Sequence, residues 1–143
     1  MIIRPYEPQD IAFVTDAWIR EIPATRQGEY LQGGVVKHYH PPLIKRALLL
    51  GSSFVAADSE DHTVLFGFIC GHYRKDEDVI HFLYTKKAFR GMGIATELIK
   101  RFKRMDKLAF THYSRHVKVR RKETKFYNYP ESYFNPYLFF KVD

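Results

Sequence analysis

The 143-residue chain predicts a mixed α/β fold built on a largely antiparallel sheet. Three observations predict it. Strand-length apolar runs follow one another at about Phe54–Asp58, Leu65–Tyr73 and Asp78–Thr85, joined by short polar links that suit hairpins. Ahead of them, Ile11, Val14, Ala17 and Trp18 recur at helical spacing. After them, the turn Arg90-Gly91-Met92-Gly93 passes directly into a second amphipathic stretch.

In chain order, an N-terminal strand leads into a helix over about Pro8 to Glu21, which Pro23 ends. Ala24 to Gly34 is polar and glycine-containing and reads as a loop. Val35 to Leu50 is helical in pattern, with Pro41-Pro42 expected to break it or to begin a new helix, and Gly51 supplies a stop. The three strands follow, linked by Ser59–His62 and Arg74–Glu77. Beyond the glycine turn come a helix to about Met105 and a strand at about Leu108–His112. Val117 to Tyr127 reads as a basic helix and the aromatic-rich Ser132–Val142 as extended. There is no internal repeat or low-complexity segment, so residues 1–143 are expected to form a single domain.

Bulk properties narrow the function classes. A hydrophobic share of 45% and an aromatic share of 16% suit a packed core rather than a disordered chain. No run of about eighteen apolar residues occurs, the N-terminus has no signal-peptide pattern, and the single cysteine, Cys70, permits no internal disulfide. A cytoplasmic location is the default expectation. The net charge of +7 is concentrated: ten basic residues stand against Asp106 and Glu123 between Arg101 and Lys125. Three readings of that window stay open: attraction of an anionic coenzyme or acceptor, a nucleic-acid track, and a solvated face.

The glycine turn carries the chemistry. A strand, a turn with two glycines and a helix start present several backbone N–H groups to an anion, and a side chain at either glycine would hold phosphate oxygens away. A Walker loop is excluded, because no Lys-Ser or Lys-Thr pair follows Gly93. A dinucleotide fingerprint is excluded too, since the third glycine and the acid about twenty residues on are both missing. Arg90-Gly91-Met92-Gly93-Ile94-Ala95 instead resembles the acetyl-CoA loop of the Gcn5-related N-acetyltransferases (GNAT), Gln/Arg-x-x-Gly-x-Gly/Ala, with Arg90, Gly93 and Ala95 in the defined positions. Phe82–Phe89 resembles that family's fourth strand and its exit. Ile94–Ile99 resembles the start of its third helix, Lys125–Asn128 its late Phe-Tyr pair, and Ile2–Tyr6 with Pro8–Asp10 its first strand and helix entry.

The resemblance implies the GNAT acyl-CoA N-acyltransferase fold and an N-acetyltransferase that passes acetyl from acetyl-CoA to an amine by direct attack. By position, the backbones of Leu83 and Thr85 would meet the pantetheine arm, and Arg90, Gly91, Met92, Gly93, Ile94 and Ala95 the pyrophosphate of coenzyme A. Tyr127 would be the general acid protonating the thiolate, against the alternative of a core aromatic in a chain with ten tyrosines. Many family members place a glutamate base on the fourth strand, but here Asp76, Glu77 and Asp78 cluster only at its start. His81 resembles an active-site histidine of the arylalkylamine acetyltransferases, and simple alternation puts it on the face of Leu83 and Thr85. A catalytic and a structural reading of His81 both stand, and the base is unassigned.

The expected partner is a small-molecule or peptide amine, entering between the Pro23–Pro42 region and the C-terminal aromatics. Nucleic acid is a less favoured partner, no membrane is expected, and oligomeric state is undetermined. A metal site is not expected, since His38-Tyr39-His40 and His112-x-x-x-His116 have no adjacent cysteine or acid to complete a ligand set. The alternative function is a GNAT-fold binding module without catalysis, associated with nucleic acid or an assembly through residues 101–125.

Overall fold

A six-stranded sheet in the order β1-β2-β3-β4-β5-β6 organises the chain. The computed structural model describes residues 1–21, 33–102, 107–112 and 131–141. Strands β1 (Ile2–Pro5), β2 (Ser52–Ala57), β3 (Leu65–Tyr73) and β4 (Asp78–Thr85) pair antiparallel in succession. Strand β5 (Lys107–Phe110) then lies parallel to β4, and β6 (Glu131–Phe134) parallel to β5. The two polar links are tight turns. Asp58 Oδ1 accepts the N–H groups of Glu60 and Asp61 at 2.8 and 3.2 Å, and Arg74 N–H donates to the Glu77 carbonyl at 2.9 Å.

Helices cover both faces of the sheet, which is why β3 and β4 are buried along most of their length instead of alternating. On one face, α1 (Ile11–Glu21) and α2 (Gly33–Leu50) bury Val14, Ala17, Trp18, Ile44, Ala47 and Leu48 against Val55, Phe68, Cys70, Phe82 and Tyr84. Trp18 is fully buried, and its ring stacks on Phe82 at 4.9 Å between centroids. On the other face, α3 (Ile94–Ile99) and the 3-10 turn Lys100–Phe102 bury Ile94, Leu98, Ile99 and Phe102 against Ile69, Ile80, Leu108 and Phe110. No helix among the described residues is long and apolar enough to cross a membrane.

Two expectations are corrected. Helix α2 runs unbroken through Pro41 and Pro42. Neither proline can donate to the carbonyl four residues back, a local cost of about 3 kcal/mol or more. The apolar stripe Ile44, Ala47 and Leu48, at most 6% exposed, offsets that cost by holding the last turns against β3. Among the described residues near the C-terminus, Glu131–Phe134 is a strand, and Pro136–Phe140 forms a 3-10 helix where extended chain was expected. Pro136 fixes φ at the first helical position, while the Asn135 side chain accepts the Tyr137 N–H at 3.2 Å and caps the turn. The expected basic helix at Val117–Tyr127 lies outside the described residues.

Cys70 is fully buried in β3, and burial pushes its thiol pKa up to about 12. Because the thiolate is the reactive species, Cys70 is expected to be inert toward an aromatic disulfide reagent in the native protein. It should react only as fast as the protein unfolds, a stopped-flow or slow-mixing measurement. Burst labelling in native buffer contradicts this placement.

Candidate active site

The site is built where β4 and β5 part. Their pairing covers Asp78, Val79 and Ile80 against Leu108, Ala109 and Phe110, and the Thr111 N–H still donates to the Ile80 carbonyl at 3.0 Å. Strand β4 then continues for five residues to Thr85, still paired with β3 on its other side. Lys86 directs its N–H to the Phe66 carbonyl of β3 at 2.8 Å. By alternation, Thr85 and Leu83 turn their backbone groups to the edge away from β3. An extended ligand arm with amide groups can pair with such an edge.

A bulge sets this geometry. Cys70 pairs with Phe82 and Gly71 with Ile80, so His81 is an extra residue in β4. One added residue exchanges the two faces for everything beyond it. Leu83 therefore packs on the α3 side, whereas Phe82 and Tyr84 pack on the α1/α2 side. His81 meets Phe139 of that second cluster at 5.2 Å between centroids, so it faces away from Leu83. The expectation that His81 shares a face with Leu83 and Thr85 is corrected. The alternation that supported it assumes an unbroken strand.

His81 is 1% exposed, and both its ring nitrogens are engaged. Nε2 stands 2.9 Å from His72 Nδ1, and Nδ1 stands 3.0 Å from Thr111 Oγ1. Burial first, then the neighbouring His72 and His112 rings, push its pKa well below the ordinary histidine value. Thr111 Oγ1 in turn lies 2.9 Å from His112 Nδ1. His112 sits half-buried at the fork, edge-on to Trp18, Phe82 and Phe139.

The turn after β4 presents its backbone outward. Gly91 and Gly93 adopt φ of +84° and +82°, a left-handed conformation that costs an L side chain about 1–2 kcal/mol. A Cβ at either glycine would meet nothing within 4 Å, so backbone conformation, not crowding within the chain, is what calls for glycine. Gly93 is the N-cap of α3, and the Glu97 N–H donates to its carbonyl at 3.1 Å as the first helical bond. The N–H groups of Ile94, Ala95 and Thr96 thus have no partner within the helix. Arg90 is exposed, and its Nε donates to the Thr85 carbonyl at 3.0 Å, tying the turn to the end of β4. Helix-start N–H groups beside the exposed Arg90, and a β4 edge without a strand partner beyond Ile80 among the described residues, fit a ligand with an anionic end and an amide-bearing arm.

The model for the acetyltransferase (GNAT) domain matches residues 50–129, more than half of the chain. The chain belongs to the GNAT acetyltransferase family. Solved structures agree on the fold. A Bacillus halodurans protein in mutant form is 17% identical with a TM-score of 0.59, over 84% of this chain and 87% of that one. An aminoglycoside N-acetyltransferase in complex with CoA is 16% identical with a TM-score of 0.55, over 91% and 92%. An acetyltransferase from Vibrio fischeri is 19% identical with a TM-score of 0.53, over 77% and 94%. No curated protein matches the chain.

Within this GNAT fold, the structure brings Leu83, Thr85 and the turn from Arg90 to Ala95 into one continuous strip. Tyr127 lies outside the described residues, as does most of the basic window. Of that window, Arg101 approaches the Phe54 ring at 6.0 Å, and Lys107 lies 3.8 Å from Glu77 Oε2. Among the described residues no three of His, Cys, Asp and Glu gather closely enough to hold a metal ion. Sequence reasoning missed the row of His72, His81, Thr111 and His112, because three separate strands contribute to it and only register brings them together.

Proposed function

We propose that this GNAT protein transfers an acetyl group from acetyl-CoA to an amine acceptor by direct attack. The observation that carries the reading is the edge of β4, without a strand partner beyond Ile80 among the described residues, running into a turn with two left-handed glycines. Leu83 and Thr85 offer backbone groups to the pantetheine arm, and the amides from Gly91 to Ala95, with Arg90, hold the pyrophosphate. Acetyl-CoA, when bound, supplies the activated acyl carbon and a thiolate leaving group. The chain's part is to fix that carbon at the β4/β5 fork and to bring a neutral amine to it.

Tyr127 is the proposed acid that protonates the departing sulfur, a role resting on its place in the family's Phe-Tyr pair. The acceptor is a small-molecule or peptide amine.

Calorimetric titration with acetyl-CoA tests the reading. Micromolar binding is expected, and no binding at millimolar ligand would remove it. Tyr127→Phe is then expected to lower kcat by about 10²-fold or more while leaving acetyl-CoA affinity unchanged. A parallel loss of affinity would assign Tyr127 to packing instead. Binding without thiol release across a panel of amines would favour a binding module over an enzyme.

A further inference from the structure

The end of the sheet that carries the β3–β4 link holds a groove of about 600 Å³. Three elements bring cations to it: Arg46 from the last turns of α2, Arg74 and Lys75 from the link, and Lys141 from the end of the C-terminal 3-10 helix. Strand β4 begins at Asp78, just after that link, and ends at Thr85, before the glycine turn. Eight residues of strand, roughly 25 Å, therefore separate the groove from the turn that faces the coenzyme.

The four cations meet with no carboxylate in the described lining. Arg46, Lys75 and Lys141 form no ion pair with a described residue. Arg74 is paired loosely, with its Nε 4.0 Å from Glu77 Oε1. The other Glu77 oxygen accepts the Tyr133 hydroxyl and faces Lys107 Nζ at 3.8 Å. Asp76 is exposed in the link and lies outside the described lining. Like charges gathered in this way repel one another, and an anionic ligand relieves the repulsion. Arg46 is already oriented for one. Its Nη1 donates to the Phe140 carbonyl at 3.0 Å, which ties α2 to the C-terminal turn and leaves the other guanidinium N–H groups to meet an acceptor.

Exposure and surroundings decide the class of ligand. All four cations are exposed, whereas pockets for small molecules typically bury about 70–90% of the ligand. The groove is open in the manner of a track for an extended chain. Apolar side chains border it. Phe140 lines it and is 55% exposed. Leu49 and Leu50, three and four residues beyond Arg46 and so on its side of α2, are 82% and 45% exposed. Cations interleaved with exposed apolar side chains suit a segment in which acids alternate with apolar residues. We infer that this face is a docking site for an acidic, apolar-studded peptide segment of a partner protein. The carboxylates of the segment meet Arg46, Arg74, Lys75 and Lys141, and its apolar side chains cover Leu49, Leu50 and Phe140. The site stands apart from the glycine turn, so it does not depend on the acetyl-transfer reading.

Fluorescence anisotropy of the full chain with a short labelled peptide alternating Glu with Leu and Phe tests the inference. Micromolar binding is expected at physiological salt, weakening as salt rises and unchanged by saturating coenzyme A. Lys75→Glu combined with Lys141→Glu should weaken it by about tenfold or more, with the thermal midpoint unchanged, while arginine at both positions should preserve it. Leu49→Ser should weaken it by about threefold or more. No binding at millimolar peptide overturns the inference. Equal binding by the double glutamate variant overturns it too, by moving the peptide to other cations such as those of residues 101–125. Displacement by coenzyme A would place the peptide on the Arg90–Ala95 turn, again overturning it. Unchanged affinity in Leu49→Ser, or inorganic tripolyphosphate binding at these lysines where the peptide does not, would mark a small-anion site instead of a peptide track.

Discussion

Gly93→Val is expected to weaken acetyl-CoA binding by roughly 10- to 100-fold while leaving the thermal midpoint nearly unchanged. Gly93 sits at φ +82°, where a β-branched residue costs about 1–3 kcal/mol. The new Cβ would find open space, so the protein need not repack around it. It would relieve the strain by rotating the peptide groups of an exposed turn instead. That rotation turns the amides of Gly93 and Ile94 away from the place where a pyrophosphate would rest. A loss of about 1.4 kcal/mol is a factor of ten in affinity, which sets the lower bound. Gly93→Asn is the control, since asparagine tolerates the left-handed region, and it should keep most of the affinity. Calorimetry on the three proteins decides it. Equal affinity for the valine variant would mean that the turn is a connection and not a binding loop.

This contrast locates what the sequence made legible. The β3–β4 hairpin and the turn into α3 depend on residues close together in the chain, such as the polar link Arg74–Glu77 and the glycines at 91 and 93. Their spacing carried the information. The local shape from Leu83 to Ala95, a strand end, a two-glycine turn and a helix start, was readable for the same reason. His81 was not, because its orientation depends on a bulge defined by how β4 pairs with β3, a long-range fact without a local signature. Helix α2 shows a similar override: Pro41 and Pro42 are strong local stop signals, yet the burial of Ile44, Ala47 and Leu48 holds one helix through them. The row ending at His112 lies furthest from sequence reading. His112 and His116 invited a metal-ligand reading by their spacing, while the actual neighbour of His112 is Thr111, linked in turn to His81 and, through it, to His72.

Asp10→Ala is expected to destabilise the fold by about 3–5 kcal/mol without changing acetyl-CoA affinity in the fraction that remains folded. Asp10 is 3% exposed and pairs in bidentate fashion with Arg4, which is itself 9% exposed, through two contacts of 2.8 Å. Its Oδ2 also accepts the Glu7 N–H at 2.9 Å, closing the turn that leads into α1. Removing the carboxylate leaves a buried guanidinium with only the exposed Glu7 carboxylate, 3.8 Å away, as its counter-charge, and that poorly compensated charge, more than the lost attraction, is the main cost. Arg4 also keeps two carbonyl partners, Pro5 at 3.1 Å and His62 at 2.8 Å, which softens the loss further. The double variant Arg4→Met with Asp10→Ala removes both charges, so it should be less destabilised than the sum of the single changes, by about 1–3 kcal/mol. Guanidinium denaturation of the four proteins measures that coupling. Strict additivity would show that the pair acts as two independent contacts and not as one buried ionic unit. Because β1 is the first strand of the sheet and the fork lies between β4 and β5, binding measured well below the unfolding transition should be the same in all four.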